Sequence, residues 1–432
     1  MGWAERTIPI SAYRCQCCWV KRGWEISSLF DLRQTFGIGK VSAHLFCSAV
    51  AGAGAVVMIV LLVWGFDPPD ADIKFDSLVS REALREGGDA YADLSDLSAR
   101  EDVEIRMYAD PDIDGARAHP RTPGALVLQL PLGLVPYSLQ FALASCVSVL
   151  SIAWLAAYRP RDVMFSSVLA LMVVLVSAPS VVTLRFAGQS AVVGVIALLG
   201  WSLASKKHGV VGGLLIGCAA TLKIYPLILV APLLLHRKWK AAAATLGSLV
   251  FLNAVGLALP GVSAAQAAEA LRKAPGLWQW LYSNGSAFRV LGEAGISDWG
   301  VLAIALGSLL AGTLLMSRRK VSTPFGWLAL ALLFIPLSWV SYDVVLIPAA
   351  LLLVTSSSRT GKTFGIFLMA LWLAPILTPW AATWSGSLSM IARLVVVIAS
   401  VSGAYFKTWS LDPLSESNVG LKPSVGVDVR IA

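Results

Sequence analysis

Apolar runs of 18 or more residues recur along the whole chain, separated by short polar segments. Strict two-residue alternation, the mark of a half-buried strand, is absent, which argues against an outer-membrane barrel. Lipid offers no partners to backbone amides, so runs of this length read as membrane-crossing helices. The pattern predicts an all-α polytopic membrane protein. Ala43–Trp64 forms the first span, and further spans run from Ser138, Val163, Gly188, Ala241, Leu302, Phe325, Val344, Phe364 and Leu388. The segment Gly209–Leu235 departs from this pattern. Basic clusters flank it on both sides, Lys206-Lys207 before and Arg237-Lys238-Lys240 after. One continuous span would violate the positive-inside rule at one end. A hairpin of two short helices meeting near Lys223-Ile224-Tyr225-Pro226 obeys it, with Pro226 opening the second helix. The total is about twelve spans with both termini on the same side.

Charge sharpens this map. Residues 65–124 hold 15 of the 26 acidic residues and only 7 basic ones, within a chain of net charge +8. They form a large acidic first outer loop. Within it Phe75–Glu86 reads as a surface helix with Leu78, Val79 and Leu84 as its apolar stripe, stopped by Gly87-Gly88. The Pro-rich His119–Pro123 re-enters the bilayer. Residues 260–299 form a second outer loop. Lys and Arg concentrate in the loops placed inside, so the pI of 9.2 reflects membrane orientation and no nucleic-acid partner is expected.

Composition adds two exclusions. Only 14% of residues are charged, against about 25% in soluble domains. The six cysteines avoid the segments placed outside, so no disulfide framework is implied. The division expected is a basic cytosolic leader (1–42), a transmembrane catalytic domain (43–406) and a cytosolic tail (407–432). Residues 1–42 have no apolar core and do not read as a cleavable signal peptide.

Several side chains are placed for chemistry. Asp72 and Asp76 follow the first span at spacing i, i+4, which puts both on one helix face. A carboxylate there can act as general base toward a hydroxyl; the plain alternative is that they are two solvated acids among many. Lys223, Arg185, Arg289 and Arg393 are cations outside or within spans, where charge is costly and marks a site unless it snorkels. Several converging cations suit a lipid phosphate. Gln189 and Asn284 sit at helix ends on the outer side, where capping is the alternative explanation.

Five separated stretches resemble glycosyltransferase family 87, membrane enzymes of the GT-C superfamily. They are FDSLVSREALREGGDAY, HPRTPGALVLQLPLGLVP, LRFAGQSAVV, GGLLIGCAATLKIYPLILVAPLLLHRKWK and IPLSWVSYDVVLIP. Their order and spacing carry the likeness, and the fourth, with its Leu-Lys-x-x-Pro tip, is the most distinctive.

The resemblance implies a GT-C fold and transfer of a hexose or pentose from a polyprenyl-phosphate donor. The acceptor would be a lipid or glycan hydroxyl on the outer face of a bacterial plasma membrane. The first-loop base falls on Asp76 by the pattern of the following residues, while Asp72 fits the loop length better. Lys223, Arg185, Gln189, Asn284 and Arg393 are the substrate-binding candidates. Ser341-Tyr342 stands where the family often carries histidine, so Tyr342, Asp343 or His119 would fill that role, or the role is absent here. No cofactor and no metal is expected, because phosphate is already a good leaving group. The rival readings are a multi-span transporter or flippase, which would predict matching broken helices in two halves, and a lipid-carbohydrate ligase.

Overall fold

The computed structural model describes residues 50, 52–55, 72–92, 94–101, 121–157, 175–186, 188–206, 208–278, 284–356, 358–378 and 384–403. The leader, most of the first span, most of the run 163–178, His119, the side chain of Asp72 and the tail 407–432 lie outside the described residues.

The described chain is helical, with one isolated bridge between Asn284 and Trp339. Its helices are α1 (Asp72–Leu84), α2 (Leu94–Glu101), α3 (Pro123–Gly133), α4 (Tyr137–Ala157), α5 (Ala178–Arg185) and α6 (Ser190–Ser205). Then come α7 (Gly209–Leu222), α8 (Val230–Leu235), α9 (Trp239–Leu257), α10 (Ala264–Trp278) and α11 (Ala287–Glu293). The last are α12 (Asp298–Arg318), α13 (Pro324–Phe334), α14 (Ile347–Val354), α15 (Arg359–Leu377) and α16 (Ser385–Val401). Short 3₁₀ segments, Tyr225–Leu229 and Val340–Leu346, precede α8 and α14.

This is a multi-span membrane protein by its helices. Among the described residues four are long and apolar enough to cross a membrane: Leu139–Ala156 within α4, and α9, α12 and α15. A fifth span arises if α5 and α6, bent 115° to each other, count as one. The expected twelve are not shown. Several apolar runs fold as short or broken helices instead: α3, α7, α13, and the pieces on either side of Lys223 and of the 335–346 segment. Proline and polar residues explain this. Thr122 caps α3, accepting from the Ala125 N–H at 3.2 Å, and Pro123 occupies its first turn.

Small residues set the packing around α7. A Cβ at Gly212 would run into the Ala204 backbone, and one at Gly213 into the Ala241 carbonyl. A Cβ at Gly217 would stand 2.6 Å from the Thr245 carbonyl. These glycines let α7 lie nearly backbone to backbone between α6 and α9, the small-residue packing that replaces hydrophobic drive in lipid. Thr245 Oγ1 adds a 3.1 Å bond to the Gly213 carbonyl.

The same contacts fix the path of the hairpin. Gly209, Gly213 and Gly217 meet Ala241, then Ala244, then Ser248 in order, so α7 and α9 run parallel. The chain must therefore return between them to the level where it began. It does: Lys238 Nζ reaches the Ser205 carbonyl at 3.4 Å, joining the two basic flanks. The turn lies where expected, with α7 ending at Leu222 and Lys223 extended (φ −147°, ψ 126°). The tip is tied to the re-entry segment by Thr122 Oγ1, which donates to the Thr221 carbonyl at 3.1 Å.

At the far end of α9 the two loop regions join into one cap. Leu78, Val79, Ala83, Ala90, Tyr91, Leu97 and Leu126 share a core with Ala267 and Ala270 of α10. The Gly261 N–H donates to Ala83 O at 3.0 Å, and Ala90 N–H donates to Gly261 O at 2.9 Å. Leu84, expected in the apolar stripe, is 45% exposed. Helix α1 is packed on more than one side, so its buried set also takes in Asp76, Ser77 and Ser80. Gly87, at φ +69°, turns the chain after α1 through a conformation that favours glycine.

Candidate active site

The cap and the bundle meet at Asp76. Its carboxylate is fully buried. Arg121 Nε donates to Oδ1 at 2.9 Å and Gln189 Nε2 donates to Oδ2 at 2.7 Å. Three elements supply this cluster. Asp76 comes from the second turn of α1, Arg121 from the residues before α3, and Gln189 from the sharp bend between α5 and α6. Tyr91 supports it by donating from its hydroxyl to the Arg121 carbonyl at 3.1 Å. Burial pushes the Tyr91 phenol above its ordinary value, so it remains a donor at neutral pH.

The arc continues along the chain from Gln189. Ser190 Oγ lies 3.3 Å from Ser341 Oγ, and Thr183 Oγ1 donates to the Ser341 carbonyl at 3.3 Å. The next residue, Tyr342, holds the Lys223 ammonium 3.9 Å from the centre of its ring. Tyr225 packs against the same residue, its ring 5.7 Å from that of Tyr342 and tilted to it by 32°. A cation over an aromatic face is a favourable way to keep charge in a low-dielectric site. The sequence candidates Asp76, Gln189, Tyr342 and Lys223 thus belong to one polar arc.

Asp343, Arg393 and Asn284 form a second, deeper cluster. Arg393 is fully buried and its Nε donates to Asp343 Oδ1 at 2.6 Å. Its other four N–H groups go to the carbonyls of Gly285, Leu332, Ser338 and Trp339 at 2.7–3.2 Å. Every guanidinium donor is engaged within the protein. Asp343 Oδ2 also accepts from Ser389 Oγ at 2.6 Å and Trp372 Nε1 at 3.3 Å. Asn284 donates to Pro336 O at 3.0 Å and accepts from the N–H groups of Ser286 and Ser338. These bonds satisfy the backbone that α13 leaves non-helical after Phe334, as a membrane interior demands.

Arg185 ends α5 with its guanidinium 5.2 Å from the Phe186 ring, half-buried. Asp72 opens α1, one turn before Asp76. Arg289, the remaining outer cation, pairs with Glu293 at 2.7 Å. Arg121 is the residue that sequence reasoning missed, although it lies inside the Pro-rich re-entry stretch. Its only signal was position, two residues before a helix-opening proline.

An all-helical, multi-span protein with a buried acid–amide–cation cluster beneath a polar cap is the class that the geometry defines. Residues 122–337, half the chain, match glycosyltransferase family 87, and the chain belongs to that family. No curated protein matches it. The matched region includes Arg185, Gln189, Lys223 and Asn284, whereas Asp76, Tyr342, Asp343 and Arg393 lie beyond its limits.

Proposed function

We propose that the protein moves a hexose or pentose from a polyprenyl-phosphate donor to a lipid or glycan hydroxyl, on the extracytoplasmic face of a bacterial plasma membrane, with a GT-C arrangement of spans. The observation that carries this reading is the burial of Asp76 between Arg121 and Gln189, residues 45 and 113 positions away. A family of glycosyltransferases needs a base for the acceptor, and this carboxylate is held where cap and bundle meet. Asp76 takes the acceptor proton as its oxygen attacks the anomeric carbon. The bond from that carbon to the phosphate oxygen breaks, and the electron pair leaves with the lipid phosphate. A base of this kind is worth about 10²- to 10⁴-fold in rate. Lys223 supplies positive charge for the phosphate, and Tyr342 holds that charge in place.

The deeper cluster has a different part on this reading. Arg393, Asp343 and Asn284 are structural, because a phosphate would have to displace bonds already made. Arg185, Asp72 and His119 stay candidates for contacts to donor or acceptor. Membrane lipids are the surroundings, and nucleic acid has no role.

Purified protein in liposomes, offered a panel of polyprenyl-phosphate sugars, tests the donor class directly. Transfer of one sugar to a hydroxyl acceptor is the expected result; no transfer from any member of the panel contradicts it. Sidedness is tested by single cysteines at Asp96 in the cap and Lys238 at the other end of α9, which should label from opposite faces.

A further inference from the structure

Tyr225, two residues after Lys223 in the chain and packed against Tyr342 in space, carries a buried hydroxyl. The residue is 1% exposed, and its Oη has no hydrogen-bond partner among the described residues. A buried hydroxyl left in that state costs free energy, and native structures tolerate it mainly where a ligand or water completes the bond. Tyr225 begins the 3₁₀ segment after the break at Lys223, and both side chains meet the same ring, that of Tyr342. A cation and an O–H donor without a partner among the described residues therefore belong to two side chains that meet one aromatic ring.

We infer that the Tyr225 hydroxyl donates a hydrogen bond to the phosphate oxygen that departs from the sugar. The inference rests on the donor class proposed above. The chemistry of that donor divides the work between the two groups. A sugar phosphodiester bears one negative charge, which one lysine balances. When the anomeric C–O bond breaks, its electron pair stays on the phosphate oxygen. The lipid becomes a phosphate monoester with a charge of about −1.5 to −2 at pH 7. The acceptor proton goes to Asp76, and no proton leaves Tyr225. The second charge exists only as the reaction proceeds. A neutral donor aimed at it stabilises the transition state and the product more than the substrate. Lys223 serves binding, and Tyr225 serves departure.

Replacing Tyr225 with Phe removes the hydroxyl and keeps the packed ring. The probe is a polyprenyl monophosphate in detergent micelles, titrated into wild type, Tyr225→Phe and Lys223→Met. Tyr225→Phe should keep the wild-type melting temperature and bind the monophosphate about tenfold more weakly. With sugar donor its kcat should fall at least about tenfold while the donor KM stays within about twofold. Unchanged monophosphate binding and unchanged kcat in Tyr225→Phe would overturn the inference and leave the donor class standing. Failure of the wild type itself to bind polyprenyl monophosphate would overturn the donor class, and this role with it.

Discussion

Asp76 with Arg121 and Asp343 with Arg393 are both buried carboxylate–arginine pairs, with N–O distances of 2.9 and 2.6 Å. Their surroundings separate them. Arg393 is 0% exposed, and its remaining donors hold four carbonyls from the 285, 332 and 338–339 segments. Arg121 is 14% exposed, at the seam between the cap and the bundle. Asp343 is joined by a serine and a tryptophan from α16 and α15, elements of the main core. Asp76 is joined by an amide from a sharp bend, Gln189, whose Oε1 has no partner among the described residues. The same residue pair therefore serves different ends. One is closed on itself and fixes a non-helical stretch of chain; the other sits at the seam between cap and bundle, where Arg121 keeps some exposure and the Gln189 Oε1 is left unengaged among the described residues.

The largest difference between the two pairs is expected at Arg393. Arg393→Met leaves Asp343 buried without its counter-charge and frees four carbonyls in the protein interior. The loss should be about 3–5 kcal/mol, read as a large drop in folded yield and melting temperature. A variant as stable as wild type would place the arginine in the binding machinery instead.

Lys223→Met tests the arc from the other side. It should fold normally, since Met fills the same path over the Tyr342 ring. Donor affinity should fall about ten- to thirtyfold, consistent with loss of one charge-assisted bond to phosphate. Unchanged donor affinity would remove Lys223 from the site. Gln189→Leu is the smallest change of the series. It deletes one 2.7 Å bond to Asp76, so transfer should fall about five- to tenfold with little change in donor affinity, in line with the ordinary worth of a hydrogen bond to a charged group. A donor KM raised without loss of kcat would assign Gln189 to binding rather than to orienting Asp76.

Much of the arc was legible in the residues. Asp76, Gln189, Lys223 and Tyr342 come from four separated stretches; the first three stand out as polar groups beside apolar runs, whereas Tyr342 enters only through the resemblance to the family. Lys223 was placed at a helix break because basic flanks on both sides forbid a single crossing. The deeper cluster was legible only in part. A cation within an apolar helix announces a partner, but Asp343 lies 50 residues earlier and nothing in the sequence links them. The twelve expected spans do not show as twelve long helices among the described residues, for a related reason. Composition shows where apolar residues lie, not where the helix breaks. Phe325–Trp339 reads as one crossing, yet α13 stops at Phe334 and the chain runs extended to pair Trp339 with Asn284. The joining of the two loop regions into one cap was invisible as well. It depends on contacts such as Gly261 with Ala83, far apart in sequence and made through backbone.

The most direct measurement is the transfer rate per folded molecule in two variants, Asp76→Asn and Asp343→Asn, with Asp72→Asn as control. Asp76→Asn keeps the shape and removes the basicity. It should fold, bind the lipid donor and lose at least about a hundredfold in transfer, while Asp72→Asn loses far less. Asp343→Asn should lose folded yield, yet each molecule that folds should transfer within a few-fold of wild type. A fully active Asp76→Asn, or a stable but inactive Asp343→Asn, would contradict the assignment of chemistry to the first pair and structure to the second.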